Sequence, residues 1–339
     1  MEKIDLVAFG IIIDDLVFPD GKTYPGLLGG GGPQSAFGMR LWGKATGIAA
    51  GVGPDLPPGA VDWLDRSGID LAGLRRGPHP TPRAWQITAE DGSREQVWQV
   101  SDEVVREQLG RSVGMLPPAY RSAAGFHVGI HPEAPDLEFF RQLRALGGVV
   151  SVEPFRPAPP GLAPAALLEL GSLAQIFSPN LEEARSMSAS GDPADFARRM
   201  LAAGTEVFPL RLGREGALIF DRKSGNQARI PACPVKTVDP TGAGNAFCGG
   251  FLAGWVESQD FVRAGLYGSV AASFVVETIG VPLVTEALIE EAGRRFTALQ
   301  SEVAVEPSGW SGRSRRSSLG RSAADAGGAG AHPDLGRMD

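Results

Sequence analysis

Short apolar runs alternate with amphipathic stretches along most of the chain. The runs at 6–13, 125–130 and 147–154 carry few charges and predict buried strands, while 136–146 has the apolar spacing of a helix. Strand–helix alternation over about 300 residues is typical of an α/β fold with a mostly parallel sheet. We therefore expect a large central sheet covered by helices.

One segment departs from this alternation. Residues 83–100 contain two strand-like runs on either side of Asp91 and Gly92, a dipeptide that favours a tight hairpin turn. Trp85 and Trp98 give this hairpin apolar surface. A hairpin inserted into an α/β pattern is a candidate lid.

The character of the chain changes near its end. Residues 305–339 are rich in Ser, Gly, Ala and Arg and contain few large apolar side chains. Such a segment cannot bury enough surface to offset the entropy lost on folding. We expect one folded domain over 1–304 and a disordered tail over 305–339.

Composition argues against several classes of protein. Hydrophobic residues make up 43% of the 339 positions, which is enough for a full core. A net charge of −7 without a basic stripe argues against a nucleic-acid partner. Two cysteines, Cys233 and Cys248, are too few for a disulfide framework, and the apolar run at 6–13 is too short to span a membrane. We expect a cytoplasmic protein.

The stretch DPTGAGNAF, residues 239–247, is the most informative motif. Gly242, Ala243 and Gly244 lie between a predicted strand and a predicted helix. Small residues there allow the first backbone N–H groups of a helix to converge on an anion, usually phosphate. An ordinary glycine-rich turn is the alternative.

Two acidic motifs are candidate ligand sites. Asn180 and Glu183 share one face of a predicted helix start and can hold a hydrated Mg²⁺, although a helix cap would need the same residues. Asp14 and Asp15 follow the first apolar run, where the carboxyl end of a parallel strand favours ligand binding. Carboxylates there accept hydrogen bonds from hydroxyl groups, or simply face solvent.

Other motifs are weaker. Residues 38–44 have the spacing of a P-loop, but Ala45 replaces the hydroxyl residue and the segment is helical in pattern. His127 and His131 are four apart but follow a strand, and no third metal ligand is evident. No G-x-G-x-x-G motif is present at 29–32 or 242–244, which argues against a dinucleotide-dependent oxidoreductase.

Taken in order, these motifs resemble the PfkB/ribokinase family of carbohydrate and nucleoside kinases. The resemblance covers roughly residues 4–300 and rests on the aspartates after the first run, GGGGPQSA, the hairpin, SPNLEEA, RLGREGA and DPTGAGNAF. It implies a three-layer α/β/α sandwich with a small β lid formed by about 17–28 and 83–100. It also implies ATP-dependent transfer of the γ-phosphate to a hydroxyl of a sugar or small polyol.

The resemblance further implies a role for each matching residue. The acceptor would be bound by Asp14, Asp15, Gly30, Gly31 and Gln34. The nucleotide would be bound by Asn180, Glu183, Gly213, Gly216, Thr241 and Ser273, with Glu183 on Mg²⁺ through water. Catalysis would fall to Gly242, Ala243, Gly244 and position 245. A monovalent cation near Asp239 and a homodimer through the lid complete the expectation.

Three residues depart from the family pattern. Asn245 stands where the family has its catalytic Asp, and a neutral carboxamide cannot accept the proton of the attacking hydroxyl. Gln34 stands where many members have Asn, and Arg211 where many have Thr. General-base catalysis typically contributes 10²–10⁴-fold. The hypotheses are therefore a kinase, or a catalytically impaired pseudokinase that binds nucleotide and sugar as sensor or scaffold.

Overall fold

Parallel strands pair side by side through the middle of the molecule. The computed structural model describes residues 3–90, 94–158 and 164–308. The strands are β1 (Leu6–Phe9), β2 (Ile12–Val17), β3 (Thr23–Gly29), β4 (Thr46–Val52), β5 (Asp70–Arg76), β6 (Arg83–Thr88), β7 (Arg94–Trp98), β8 (Gly125–Ile130), β9 (Val149–Pro154), β10 (Ile176–Phe177), β11 (Val207–Arg211), β12 (Ala217–Asp221), β13 (Asn226–Ile230) and β14 (Ala304–Pro307). The α-helices are α1 (Gly32–Leu41), α2 (Pro58–Arg66), α3 (Asp102–Leu109), α4 (Leu137–Ala145), α5 (Pro164–Leu173), α6 (Leu181–Met187), α7 (Pro193–Ala203), α8 (Ala243–Ser258), α9 (Phe261–Val276) and α10 (Glu286–Gln300).

Within the described residues, ten strands form one sheet in the order β14-β13-β12-β11-β10-β9-β8-β1-β4-β5. The strands from β5 to β11 are parallel, and β12, β13 and β14 extend the sheet in antiparallel pairs. A parallel sheet needs cover on both faces, which explains the continuous apolar runs at 125–130 and 147–154.

Two hydrophobic cores lie on opposite faces of this sheet. One contains Phe37 of α1, Trp63 of α2 and Phe251 of α8, and the other contains Phe140 of α4 and Phe196 of α7. Helices therefore cover the sheet on both sides. The predicted three-layer α/β/α sandwich is confirmed.

A second sheet forms the lid. Its four described strands are ordered β3-β2-β6-β7, with β6 and β7 antiparallel as the hairpin prediction required. The turn at Asp91 and Gly92 lies outside the described residues. The prediction of a single strand over 6–13 is wrong, because the chain bends at Gly10 (φ 87°) and passes from the large sheet into the lid.

Close packing of α1 against α8 aligns the starts of these two helices. A Cβ on Gly38 would lie 2.3 Å from the carbonyl oxygen of Ala246, and one on Gly249 would lie 2.0 Å from that of Ser35. Only glycine permits this approach. Gly38, part of the rejected P-loop spacing, is thus a helix-packing residue.

The last described strand crosses the boundary expected at residue 304. β14 pairs with β13 in an antiparallel register, from Ala304 opposite Arg229 to Pro307 opposite Asn226. The folded domain therefore extends to the end of this strand, and residues 309–339 lie outside the described part of the chain. No helix in the described part is both long and apolar enough to cross a membrane.

Candidate active site

A cavity of about 960 Å³ lies between the lid and the carboxyl ends of β1, β8 and β9. Ligand sites of open α/β sheets form at such strand ends. The sequence-predicted residues that line it are Asp14, Gly30, Gly31, Gln34, Thr241, Gly242 and Asn245. Residues more than 200 positions apart in the chain thus meet at one site, as the resemblance implied.

The two aspartates of β2 face opposite sides of the lid, because successive side chains alternate along a strand. Asp14 lines the cavity, and its Oδ1 accepts a hydrogen bond from Gln86 at 2.9 Å. Asp15 instead accepts two bonds from Arg83 at 2.8 Å and one from the backbone N–H of Gly26 at 2.7 Å. Burial opposes ionisation, but these bonds outweigh it and lower the pKa of Asp15. Asp15 thus braces the lid strands, and its role in binding the acceptor stays a prediction.

Gln34 joins the α1 start to the α8 start. A Cβ on Gly242 would lie 2.5 Å from its Cγ, so glycine is required there both for space and for φ of 80°. The Gln34 side chain is buried, and its Oε1 has no hydrogen-bond partner among the described residues. A buried acceptor without a donor is costly, and a ligand hydroxyl can satisfy it.

The start of α8 carries no capping side chain. The N–H of Ala243 donates to the carbonyl oxygen of Pro240 at 3.3 Å, and the helix dipole favours an anion in front of the N–H groups that follow. The preceding turn is held by buried Asp239, whose Oδ1 accepts from Thr241 N at 3.0 Å and from Thr241 Oγ1 at 2.6 Å. Asp239 is thereby oriented to the turn.

Asn180 and Glu183 form a capping box at the start of α6. The Asn180 side chain accepts from Glu183 N at 2.8 Å, and Glu183 Oε2 accepts from Asn180 N at 2.7 Å. Glu183 is buried, and it does not line the cavity. Burial raises the pKa of its carboxyl to about 7, against the opposing effect of nearby Arg211. The structure therefore contains the helix cap, and the role of Glu183 in binding Mg²⁺ stays a prediction.

Arg211 lies between two carboxylates beside the start of α8. Its Nη1 is 2.9 Å from Glu153 Oε2 and its Nη2 is 3.2 Å from Glu183 Oε2. A Cβ on Gly244 would lie 2.0 Å from Nη1. Its buried Nε has no partner among the described residues. The residue that departs from the family pattern thus puts a cation at the predicted anion site.

Glu153 was not predicted from the sequence. It is the second-last residue of β9, lines the cavity and is only 2% exposed. Its Oε1 accepts a hydrogen bond from Asn245 Nδ2 and lies 3.0 Å from His127 Nε2. Its Oε2 accepts a hydrogen bond from Cys248 Sγ at 3.4 Å. Although burial alone would raise it, Arg211 and His127 lower the pKa of Glu153 to about 2. The available signal was a Glu at the end of an apolar strand.

The other predicted nucleotide residues lie away from this cavity. Gly213 (φ 61°) opens the turn between β11 and β12, and Gly216 (φ 87°) closes it. Ser273 on α9 donates to the Val270 carbonyl and accepts from Arg295 Nη1, both at 2.7 Å. None of the three lines the cavity, and their roles stay predictions.

The two histidines contact different groups. His127 Nδ1 lies 3.0 Å from Ser151 Oγ, while His131 Nε2 lies 2.7 Å from Arg156 Nη2. His127 belongs to the buried group around Glu153, and His131 packs edge-on against Phe155.

Comparison with known proteins identifies the architecture around this site. The model for pfkB family carbohydrate kinase matches residues 3–287. The chain belongs to this family. The lid, the α8 start and the capping box at α6 are thus parts of a PfkB-family kinase.

Relatives with named activities are kinases. A cytidine kinase of Thermococcus kodakarensis is 32% identical over 276 residues, covering 78% of this chain and 94% of the relative. A nucleoside kinase of Methanothermobacter thermautotrophicus is 27% identical over 314 residues, covering 88% and 97%. The expected ATP-dependent phosphotransfer is confirmed, and the comparisons support a sugar or a nucleoside as the acceptor. Nothing in the comparisons supports the pseudokinase alternative.

Solved structures agree on the fold. The nucleoside kinase of Methanocaldococcus jannaschii, an archaeal member of the ribokinase family, superposes with a TM-score of 0.65 at 22% identity, covering 88% of this chain and all of that chain. A ribokinase-family structure from Escherichia coli in complex with ATP and Mg²⁺ superposes with a TM-score of 0.69 at 18% identity, covering 88% and 100%. The fold of this PfkB member is ribokinase-like.

Proposed function

We propose that this kinase phosphorylates a hydroxyl of a nucleoside. The size and lining of the cavity carry this assignment. Its volume of about 960 Å³ is near the upper end of the roughly 300–1,000 Å³ of small-molecule pockets. Trp98, Met115 and Phe155 line its outer part, and Met115 and Phe155 are 48% and 55% exposed. Apolar and aromatic surface of this kind suits a planar base, and the named nucleoside-kinase relatives agree.

The inner part of the cavity suits the ribose. Asp14 offers carboxylate oxygens, and Gln34 offers its unpartnered Oε1. A Cβ on Gly31 would lie 2.8 Å from Asn245 Nδ2, so a glycine there leaves room beside the reacting position. Ribose hydroxyls donate to these acceptors and bring the attacking oxygen toward the start of α8.

ATP and Mg²⁺ complete the proposed site. The uncapped amides of α8 and the free Nε of Arg211 fit phosphoryl oxygens, and the Escherichia coli ribokinase-family structure holds both ATP and Mg²⁺. Mg²⁺, which takes oxygen ligands and keeps several waters, neutralises phosphate charge when bound; Glu183 would hold it through water. The turn at Gly213 and Gly216 and the α9 residue Ser273 would contact the nucleotide.

The protein's own groups then favour transfer in several ways. The α8 amides, Ala243 and Gly244 among them, stabilise charge on the transferring phosphoryl group. The lid, over about 17–28 and 83–100, excludes water and so suppresses ATP hydrolysis. A monovalent cation near Asp239, a cytoplasmic location, and a homodimer through the lid face that exposes Trp85 are further parts of the proposal.

An acceptor panel tests the assignment. ADP release is measured by a coupled assay with nucleosides and with monosaccharides and polyols. We expect kcat/KM for at least one nucleoside to exceed that for every monosaccharide by about tenfold or more. A monosaccharide preferred over every nucleoside would overturn the assignment.

A pair of variants tests where the nucleobase of the acceptor binds. Phe155→Ala removes an exposed aromatic ring from the cavity and should raise the nucleoside KM several-fold while leaving the KM for ATP unchanged. Leu168→Ala is the matched control, because Leu168 is equally exposed at 55% but lies on α5 away from the cavity. Equal behaviour of the two variants would contradict the proposed place of the base.

A further inference from the structure

A carboxylate lies close to Asn245, the residue that stands where the family has its catalytic Asp. Asn245 cannot accept a proton, but its Nδ2 donates a hydrogen bond to Glu153 Oε1. The two residues are 92 positions apart and come from different elements, the end of β9 and the first turn of α8. Both line the cavity. The Glu153 carboxylate is therefore joined to the side chain at position 245 by a single hydrogen bond.

The surroundings of Glu153 hold this carboxylate in place. Oε1 is 3.0 Å from His127 Nε2, and Oε2 is 2.9 Å from Arg211 Nη1. His127 is itself fixed by Ser151 Oγ at 3.0 Å. A group whose position is fixed by such contacts is pre-organised for proton transfer.

We infer that Glu153 is the proton acceptor of the reaction and that Asn245 positions it and the attacking hydroxyl. The inference rests on the kinase activity described above and adds a catalytic residue to it. The hydroxyl oxygen forms a bond to the γ-phosphorus, and its proton passes to Glu153 Oε1, directly or through one water. The bond from the γ-phosphorus to the bridging oxygen breaks, and its electron pair leaves on ADP.

This arrangement gives Asn245 a positive reason to be an amide. A carboxylate at 245 would contact the Glu153 carboxylate, and two like charges that close cannot both ionise freely. The amide supplies a donor in place of that repulsion. The structure thus pairs one amide with one carboxylate, and mutation can exchange these two groups between positions 153 and 245.

Three variants test the exchange: Glu153→Gln, Asn245→Asp and the double variant. Initial rates are measured against ATP and the best acceptor of the panel. We expect E153Q to lower kcat by about 10²–10⁴-fold with KM for ATP changed less than about threefold. N245D alone should lower kcat because its carboxylate repels that of Glu153. N245D/E153Q should recover at least about tenfold in kcat over E153Q, because it again pairs one carboxylate with one amide.

Controls distinguish a slower catalytic step from a loss of folding and from an absence of kinase activity in the wild-type protein. Thermal unfolding and ATP binding are measured for every variant, and Glu290→Gln, at an exposed position on α10, is the matched control. E153Q with kcat within about threefold of the wild type would overturn the inference. A double variant that folds and binds ATP but has a kcat no higher than that of E153Q would also overturn it. If E153Q fails to fold, the kcat of the double variant is compared with that of N245D, and a double variant no faster than N245D would overturn the inference. Wild-type protein inactive on every acceptor would instead refute the kinase function itself.

Discussion

The buried carboxyl of Glu183 makes stability depend on pH in a specific way. Burial raises the pKa of Glu183 from 4.5 to about 7, so the folded protein holds a proton that the unfolded chain releases at lower pH. Folding therefore becomes less favourable as pH rises from about 4.5 to about 7. The perturbation is Glu183→Gln, which keeps an oxygen for the Asn180 N–H but cannot ionise.

The magnitude follows from the same pKa values. At 1.36 kcal/mol per pKa unit, a rise from 4.5 to about 7 corresponds to about 3 kcal/mol. The wild type should lose this amount of unfolding free energy relative to E183Q across the window, and the difference should level off above about pH 8. Below pH 4.5 the low pKa of Glu153 adds a dependence of opposite sign, which both proteins share.

Urea unfolding without nucleotide or Mg²⁺ measures this difference. Wild type and E183Q are compared from about pH 4.5 to about pH 8. Glu182→Gln, at the exposed neighbouring position in the same helical turn, is the matched control and should change the profile much less. A difference in unfolding free energy between wild type and E183Q that stays constant within about 0.5 kcal/mol across this range would show that folding does not raise the pKa of Glu183.

Three further experiments have defined outcomes. Gly244→Ala should lower kcat by about 10²-fold or more, because a Cβ at this position would displace Arg211 from the α8 start. Gly293→Ala, in open space on α10, is the control and should leave kcat unchanged. Equal kcat values for the two variants would contradict the anion site. Asp15→Ala should raise the acceptor KM several-fold with an unchanged KM for ATP, since the lid loses its contacts to Arg83; unchanged steady-state kinetics would argue against a brace. Truncation after Ser308 should leave the melting temperature within about 1 °C, whereas truncation after Val303 removes β14 and should lower it; a large drop in the first would show that the tail stabilises the domain.

Local patterns predicted most of the architecture. The strands at 125–130 and 147–154, the helix between them and the hairpin follow from periodicity within short windows. The break at Gly10 did not, because the apolar run is continuous across it. Ile11 to Ile13 are as buried as Leu6 to Phe9, so hydrophobicity alone cannot tell that two different sheets share the run.

The site was predictable where one motif makes it. The start of α8 at Gly242 and the cap at Asn180 are short-range features, and both are found where the sequence placed them. The Glu153–Arg211 pair was not predictable, because each partner is ordinary in its own strand and only the sheet order brings β9 and β11 together across β10. Asn245 by itself predicts an impaired site, whereas its hydrogen bond to Glu153 shows that a carboxylate from β9 lies beside it.

Transfer of labelled γ-phosphate from ATP by the wild-type protein is the most direct test of kinase activity at this site. The protein, at a concentration above that of labelled ATP, is mixed with Mg²⁺ and a nucleoside, and the products are separated and identified. We expect label in a nucleoside monophosphate within a single turnover, even though position 245 is Asn. Label that stays in ATP, or appears only in inorganic phosphate with every nucleoside and sugar, would contradict it.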